Sequence, residues 1–161
     1  MSRELRGQSV IARPLTVSDL QYYAVMFSPM VQMALHVFSV ETELQYVHAC
    51  FAAIKPTLFY GIFYSDLLVG AIQIRDYMSH ASQLYGWLNE QYWGLGYYQE
   101  ALQLVARYYF ETTACSFLRA HVDVANKRGY YALKKCGFAD FGWYDGPSGK
   151  QYVLILRNRW M

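Results

Sequence analysis

The sequence has few charged residues and almost no imbalance between the two signs. Lysine, arginine, aspartate and glutamate make up 16% of its 161 residues, and the net charge is only +2. No basic run stands out, so the composition does not favour a nucleic-acid-binding protein. The hydrophobic fraction of 55% argues against disorder and is enough for a sizeable core. We therefore expect one domain over residues 1–161.

Cysteine is also scarce, and no hydrophobic run is long enough to cross a bilayer. Cys50, Cys115 and Cys136 are odd in number and lack the spacing of metal ligands, and no histidine has a partner at such spacing. We therefore expect no metal. The first ten residues lack the apolar core of a signal peptide. Together these absences predict reduced thiols in a cytoplasmic protein that does not bind a membrane.

Aromatic residues, by contrast, are abundant. They account for 18% of the chain and include 16 tyrosines. Tyrosine combines apolar area with a polar tip, so the excess suits a substrate cleft or a subunit interface as well as a core. An interface would imply a homodimer.

Hydrophobic periodicity predicts seven strands and four helices in the order β-α-α-β-β-β-α-β-α-β-β. The strands are predicted over residues 10–15, 57–64, 67–75, 83–88, 117–124, 138–144 and 151–158. The helices are predicted from Ser18 or Asp19 to Phe27, and over 41–54, 98–111 and 127–136. Residues 30–40 are apolar without a clear period, so the pattern favours neither a helix nor a strand there.

A glycine-containing turn joins the strand ending at Leu88 to the third predicted helix. It reads Gln91-Tyr92-Trp93-Gly94-Leu95-Gly96-Tyr97. Glycine lets backbone N–H groups approach a ligand closely, and the helix dipole adds partial positive charge, so the turn predicts an anion site. A dinucleotide fingerprint would need a third glycine, and a Walker loop would need Gly-Lys-Ser/Thr; neither is present.

The flanks of this turn resemble the acyl-CoA-binding motif of the GNAT superfamily of N-acetyltransferases, whose core is Q/R-x-x-G-x-G/A. Gln91, Gly94 and Gly96 match the core. The longer pattern from Trp87 to Ala101 is similar to the branch that contains ribosomal-protein-alanine and polyamine N-acetyltransferases. Residues 126–138 resemble the second family motif, an asparagine followed by a helix and Gly-Phe. The resemblance covers about residues 10–158.

This resemblance implies a GNAT-like α+β fold in three layers. Its mixed, mostly antiparallel sheet would have about seven strands, flanked by about four helices, and would be splayed between the fourth and fifth strands. The implied reaction moves acetyl from acetyl-CoA to a primary amine by direct attack in a ternary complex. The amine would belong to a protein N-terminus or a small molecule. The implied cofactor-binding residues are Trp87, Leu88, Gln91, Trp93, Gly94, Leu95, Gly96, Tyr97, Asn126 and Tyr131.

The general acid that the family often uses is missing here. The family frequently has a tyrosine five residues before the phenylalanine of Gly-Phe, where this sequence has Leu133. One alternative is that the coenzyme A thiolate leaves unprotonated, since a free thiol has a pKa near ~8.5. The other is that Tyr130 or Tyr131 supplies the proton.

The sequence offers several candidates for the general base. Tyr85, His121 and Asp123 are the candidate catalytic residues, because they lie on strands that would border the site. Family analogy adds Glu41, while an acceptor that arrives deprotonated would need no base. A backbone N–H near Trp87 or Leu88 is the implied oxyanion donor. The weak acid and base candidates keep open a second function, an acyl-CoA-binding sensor without catalysis.

The acceptor amine is expected to enter between the first two helices and the loop joining the last two strands. That surface would include Tyr22, Tyr23, Phe27, Met30, Met33, Phe38 and Tyr144. Aromatic and methionine side chains can hold an alkylammonium or a peptide N-terminus. The alternative is that these residues form the core or a dimer contact.

Overall fold

The computed structural model describes residues 3–52, 57–78 and 81–159, which form one mixed sheet with helices on both faces. The strands are β1 (Leu5–Arg6), β2 (Ile11–Pro14), β3 (Thr57–Tyr64), β4 (Leu67–Met78), β5 (Ala81–Leu88), β6 (Phe117–Asp123), β7 (Ala139–Gly146) and β8 (Gly149–Arg157). The helices are α1 (Leu20–Met26), α2 (Pro29–Leu35), α3 (Val40–Ala52), α4 (Tyr97–Thr112) and α5 (Lys127–Lys135). The order of the strands is β1-β2-β3-β4-β5-β6-β8-β7.

The predicted fold class is confirmed, with one more strand and one more helix than expected. All seven predicted strands and all four predicted helices are present. The additional strand is β1, which has only two residues and pairs with Ala12 and Ile11. The additional helix is α2, within the segment that had no clear period. It buries only Val31, so its sequence lacks a hydrophobic stripe. Ser28 caps its N-terminus, and Pro29 occupies a first-turn position where no N–H is needed.

Two hydrophobic clusters lie on opposite faces of the sheet, as the predicted three layers require. Helix α4 packs on one face through residues that include Ala101, Leu102 and Val105, and α5 joins it through Leu133. The other cluster contains residues of α1, α2 and α3 together with Trp87 of β5. In the described part of the chain, no helix combines the length and hydrophobicity that a bilayer crossing requires.

Strands β5 and β6 form the only parallel pair among the described strands, and their pairing stops partway. It begins with Ala81 opposite Phe117 and ends with Leu84 opposite Ala120. Beyond that point β5 stays paired with β4, and β6 stays paired with β8. The two strands therefore separate and open a wedge in the sheet. This is the predicted splay, now between the fifth and sixth strands because β1 adds one to the count.

The turn between β1 and β2 is bound to the first turn of α4. The Glu100 carboxylate accepts hydrogen bonds from the backbone N–H groups of Ser9 and Val10, at 2.9 and 2.8 Å. Gly7 permits this approach, because a Cβ there would lie 2.2 Å from Glu100 Oε2. The contact connects the start of the chain to the helix that follows the glycine turn.

Candidate active site

The wedge between β5 and β6 opens into a cleft of about 560 Å³. The glycine turn, both separated strands and α5 contribute to its lining, as do residues of α2 and α3. One cavity therefore contacts both the predicted cofactor site and the face of the sheet that α2 and α3 cover. Among the described residues, no group of three or more His, Cys, Asp or Glu could hold a metal ion.

The glycine turn presents unpaired backbone donors at the N-terminus of α4. Gly94 and Gly96 have φ of 80° and 81°, in the left-handed region that favours glycine. The first hydrogen bond of the helix runs from Glu100 N–H to Gly96 C=O, so the N–H groups of residues 97–99 have no partner within the helix. A Cβ at either glycine would meet no atom within 4 Å. Open space, free donors and the helix dipole together suit a pyrophosphate.

The backbone of β5 distinguishes between the two expected oxyanion donors. The N–H of Asn89 donates to Val69 C=O on β4 at 2.8 Å. Because hydrogen-bonding direction alternates along a strand, Trp87 also faces β4, whereas Leu88 faces the open side toward β6. The indole of Trp93 donates to the Leu88 carbonyl at 2.8 Å and so orients the peptide group. The Leu88 N–H is the donor with the required direction.

Seven of the ten sequence-predicted cofactor residues line the cleft. They are Trp87, Leu88, Trp93, Gly94, Gly96, Tyr97 and Asn126. Gln91 and Leu95 are exposed on the outer side of the turn, and Leu95 is 61% exposed. Tyr131 lies in a different depression beside Trp143, because α5 turns Leu133 rather than Tyr131 toward the cleft. This position separates Tyr131 from the predicted proton-donating role.

Asn126 caps α5 and lies in the wall of the cleft. Its Oδ1 accepts a hydrogen bond from the Gly129 N–H at 3.0 Å and caps α5, while the residue also lines the cleft. Two residues later, the guanidinium of Arg128 lies 4.4 Å from the Trp93 ring centroid and borders the same cleft. Sequence reasoning did not identify Arg128, because only the folded chain brings α5 beside the glycine turn.

A hydrogen-bonded chain of three side chains ends at a carboxylate in the cleft. Trp87 Nε1 donates to the Tyr23 hydroxyl at 3.1 Å, and that hydroxyl donates to Glu43 Oε2 at 2.5 Å. Burial raises the pKa of Glu43, and burial together with Glu43 raises the pKa of Tyr23 well above its usual value. Tyr23 therefore remains a proton donor to Glu43 at neutral pH.

Glu43 is the acidic residue that sequence reasoning missed. Family analogy indicated Glu41, but Glu41 is exposed on α3 and does not line the cleft. Glu43 precedes the fully buried Val47 by one helical turn, so it lies on the side of α3 that faces the sheet. The four-residue spacing between Glu43 and Val47 was therefore the feature of the sequence from which the position of Glu43 could have been predicted.

The three predicted base candidates have different environments. Tyr85 lines the cleft and is 41% exposed. His121 also lines the cleft, and its Nδ1 lies 3.1 Å from the Tyr144 hydroxyl. Burial and the charge of Arg119 lower the pKa of His121, so it is neutral near pH 7.

Asp123 does not line the cleft, and its carboxylate is bound to other groups. Its carboxylate accepts a hydrogen bond from the Ala125 N–H and contacts His36 Nε2, each at 2.8 Å. These contacts lower the pKa of Asp123, which makes it a weak proton acceptor. The His36 contact joins the end of α2 to the end of β6 beside the cleft.

The expected acceptor surface is only partly in the cleft. Phe38 lines it and is 97% exposed. Tyr23 and Phe27 are each 1% exposed, and both rings pack edge-on against Trp87. For Phe27 the alternative of core packing therefore holds, because this residue directly follows α1 and packs against Trp87 of β5. Tyr23 contributes its hydroxyl to the cleft rather than an open aromatic face.

The fold and cleft together are those expected of an acyl-CoA-dependent acyltransferase. The chain belongs to the GNAT acetyltransferases: the family model described as the acetyltransferase (GNAT) domain matches residues 9–139. The prediction of an N-acetyltransferase is thereby confirmed. A comparison with curated protein sequences finds no significant match.

Solved structures share the fold at low sequence identity. A GNAT-family acetyltransferase from Bacillus anthracis is 18% identical with a TM-score of 0.83, over 97% of this chain and 99% of that one. RimL, a ribosomal L7/L12 alpha-N-protein acetyltransferase in complex with coenzyme A, is 13% identical with a TM-score of 0.83, over 96% and 98%. The ribosomal-protein-S5-alanine acetyltransferase from Vibrio fischeri is 15% identical with a TM-score of 0.76, over 98% and 97%.

Proposed function

We propose that this protein transfers the acetyl group of acetyl-CoA to a primary amine, by direct attack of the amine in a ternary complex. The observation that carries the proposal is the continuity of the cleft. The same cavity is lined by Gly94 and Gly96, which suit a pyrophosphate, and by Glu43, which suits an ammonium group. A donor and an acceptor can therefore meet beside the Leu88 N–H.

Donor binding follows from the direction of the backbone groups. The N–H groups at the start of α4 bind the pyrophosphate, with the Arg128 guanidinium close by. The pantetheine arm, which carries amides, pairs with the unpaired edge of β5 near Leu88. Asn126 contacts the arm from the β6 side. In this proposal the thioester carbonyl lies within reach of the Leu88 N–H.

Glu43 is the base in this proposal. Its carboxylate accepts a proton from the acceptor ammonium, directly or through a water molecule, and frees the amine lone pair to attack the thioester carbon. The Tyr23 hydroxyl holds the carboxylate in place. His121 is the alternative base, since it lines the cleft and is neutral near pH 7.

The tetrahedral intermediate then needs an oxyanion donor and a leaving group. The Leu88 N–H donates to the oxyanion. Leu133, in the position where the family often has its acid, is buried and apolar and cannot supply a proton. Coenzyme A therefore leaves as a thiolate, which its thiol pKa near ~8.5 permits, and the attacking nitrogen releases its surplus proton to water to give the neutral amide.

Calorimetry and a thiol-release assay test the proposal together. Acetyl-CoA should bind the purified protein, and free thiol should appear when suitable amines are added. If acetyl-CoA does not bind, the cofactor assignment is wrong. If it binds but no thiol forms with peptides, polyamines, aminoglycosides or amino acids, the sensor alternative replaces the transferase.

The proposal also covers the domain organisation, the cellular compartment and the oligomeric state. We infer a single domain that works in the cytoplasm, because its cysteines are free thiols and its composition suits that compartment. A homodimer is a further inference from exposed aromatics such as Phe141 and Trp143. Sedimentation of the purified protein tests the dimer.

A further inference from the structure

We propose that the acceptor is a primary amine with a single positive charge and an apolar chain, and that Phe38 packs against this chain. The inference rests on the proposed function, since it names the acceptor class of the same cleft. Near Glu43 the cleft has one carboxylate, polar side chains that already have partners, and an apolar wall. Simple alkylamines match all three features.

The charges that line the cleft suit only one ammonium group. Glu43 is the only residue with a carboxylate among the described residues of the lining, and in the proposed reaction it faces the amine that attacks. The Asp123 carboxylate is bound to His36 and to the Ala125 N–H. A second ammonium group on the acceptor would therefore leave water without gaining a counter-charge, which is unfavourable. An acceptor with a single charge avoids this loss.

Polar side chains around Glu43 already form hydrogen bonds with one another. The Tyr46 hydroxyl donates to Gln73 Oε1 at 2.8 Å, and Gln73 is only 4% exposed. The hydroxyl groups of Ser39 and Thr42 lie 2.9 Å apart and bond each other. A peptide would have to break such bonds or leave its own amide groups without partners. An apolar chain requires neither.

The wall beside Glu43 is apolar. The ring of Phe59 on β3 lies edge-on to Tyr23, whose hydroxyl binds Glu43, and the two ring centroids are 6.3 Å apart. Val37 and Phe59 are only partly buried in the hydrophobic cluster that contains Tyr23, and both line the cleft. Each therefore has apolar surface left to contact an acceptor.

Phe38 extends this wall to the solvent. Its ring lines the cleft and is 97% exposed, so the protein itself covers almost none of its apolar area. Two residues earlier, His36 Nε2 contacts the Asp123 carboxylate at 2.8 Å, which attaches the segment that carries Phe38 to the end of β6. An acceptor chain that packs on this ring would remove from water a surface that otherwise stays hydrated.

Chain length tests the apolar part of the proposal. Thiol release from acetyl-CoA is measured with n-propylamine, n-butylamine, n-pentylamine and n-hexylamine, whose amino groups have nearly the same basicity. The kcat/KM should rise about fourfold with each added methylene that the wall buries. A constant kcat/KM along the series overturns the inference and leaves the proposed transfer intact.

A diamine tests the single charge. The comparison is between n-butylamine and 1,4-diaminobutane, which has a second ammonium group at the far end of the same chain. The kcat/KM should be at least about tenfold lower for the diamine, because its second charge must lie against the apolar wall. The diamine has two reactive ends, so a lower value cannot come from the number of amines. An equal or higher value for the diamine overturns the inference.

Variants test the role of Phe38. In Phe38→Ala the kcat/KM for n-hexylamine should fall by at least about fivefold, while that for n-propylamine changes by about twofold or less. Phe38→Leu keeps an apolar side chain and should retain most of the selectivity. The matched control is Phe141→Ala, which removes an exposed phenylalanine of β7 outside the cleft and should keep the wild-type series. Acetyl-CoA affinity measured by calorimetry should be the same in all three variants and shows that each is folded.

The outcomes separate this inference from the proposed transfer. An unchanged chain-length series in Phe38→Ala, or thiol release with peptides and not with n-hexylamine, overturns the inference alone. Thiol release with the alkylamines establishes transfer even where the other classes of amine give none. If no amine releases thiol although acetyl-CoA binds, the proposed transfer fails. Calorimetric titration of n-hexylamine and n-propylamine into the coenzyme A-saturated protein then decides: tighter binding of n-hexylamine supports the inference, and equal or absent binding overturns it.

Discussion

The Glu43 carboxylate has a hydrophobic environment and a fixed hydrogen-bond donor. Burial favours its protonated form, whereas the Tyr23 hydroxyl and the charge of Arg75 favour its ionised form. The balance leaves its pKa above the ordinary value, closer to the pH at which a base for an ammonium group is most effective. His121, by contrast, has a lowered pKa because burial and Arg119 disfavour its charged form.

The substitution Glu43→Gln tests whether Glu43 is the general base. Glu43→Gln keeps an acceptor for the Tyr23 hydroxyl but cannot take a proton, so kcat should fall by at least about 100-fold. Acetyl-CoA affinity should not change, because Glu43 does not lie at the glycine turn. The control is Glu41→Gln, on the exposed side of the same helix, with kcat near that of the wild type. A large loss in His121→Ala together with normal turnover in Glu43→Gln would assign the role to His121.

The stability of Glu43→Gln should depend on pH in a defined direction. The raised pKa of Glu43 means that the folded state binds the proton more tightly than the unfolded state. The wild-type protein therefore loses stability as the pH rises from 4.5, the ordinary pKa of a glutamate, through the raised pKa of Glu43. At pH 7 the variant should melt at the same temperature as the wild type or higher, and this advantage should disappear at pH 4. Calorimetric melting at the two pH values measures it, and an advantage at pH 4 that vanishes at pH 7 contradicts the assigned direction.

At the scale of elements, the glycine turn combines local backbone geometry with a helix N-terminus. Its residues require left-handed φ at two positions, and α4 supplies the free N–H groups. The wedge opens the space in front of the turn, because β5 and β6 separate after Leu84 and Ala120 and the turn follows the separated end of β5. Each element alone is common, and the proposed anion site needs both.

Gly96→Val tests the turn, and another glycine provides the control. A valine at φ 81° costs roughly 1–2 kcal/mol of strain, and its side chain would enter the space proposed for the pyrophosphate. Acetyl-CoA binding should be lost. Gly142→Val on β7 also has positive φ (119°) and open space, but lies outside the cleft. It should bind acetyl-CoA normally in calorimetry, whereas equal loss in both variants would show that strain alone is responsible.

At the scale of the whole molecule, the sequence predicted elements whose pattern is local. Strand β6 alternates buried Leu118, Ala120 and Val122 with more exposed residues, so its boundaries and its inward face were both predictable. Helix α4 has a continuous apolar stripe and was equally clear. Strand β1 is too short to carry a pattern, and α2 buries one residue, so neither could be predicted from periodicity.

The same distinction separates the two halves of the candidate site. The glycine turn was predictable because its residues are consecutive and their spacing is the signal. Glu43 and Arg128 were not, because each is brought to the cleft beside a partner distant in sequence, Tyr23 and Trp93 respectively. The part of the cleft that we propose for the cofactor is thus encoded locally, and the part that we propose for the acceptor is encoded by the packing of α1 and α3 on the sheet.

The hydrogen bonds that the Ser9 and Val10 N–H groups donate to Glu100 should report whether a ligand occupies the cleft. An anion at the start of α4 should reduce opening of its first turn, and with it the release of the Glu100 carboxylate. The amide hydrogens of Ser9 and Val10 should then exchange with deuterium more slowly when acetyl-CoA is present, although neither residue lines the cleft. Mass spectrometry of the N-terminal peptide measures this, with Glu100→Gln as the control that should weaken the effect. Unchanged exchange at saturating acetyl-CoA would show that the first turn of α4 does not sense the ligand.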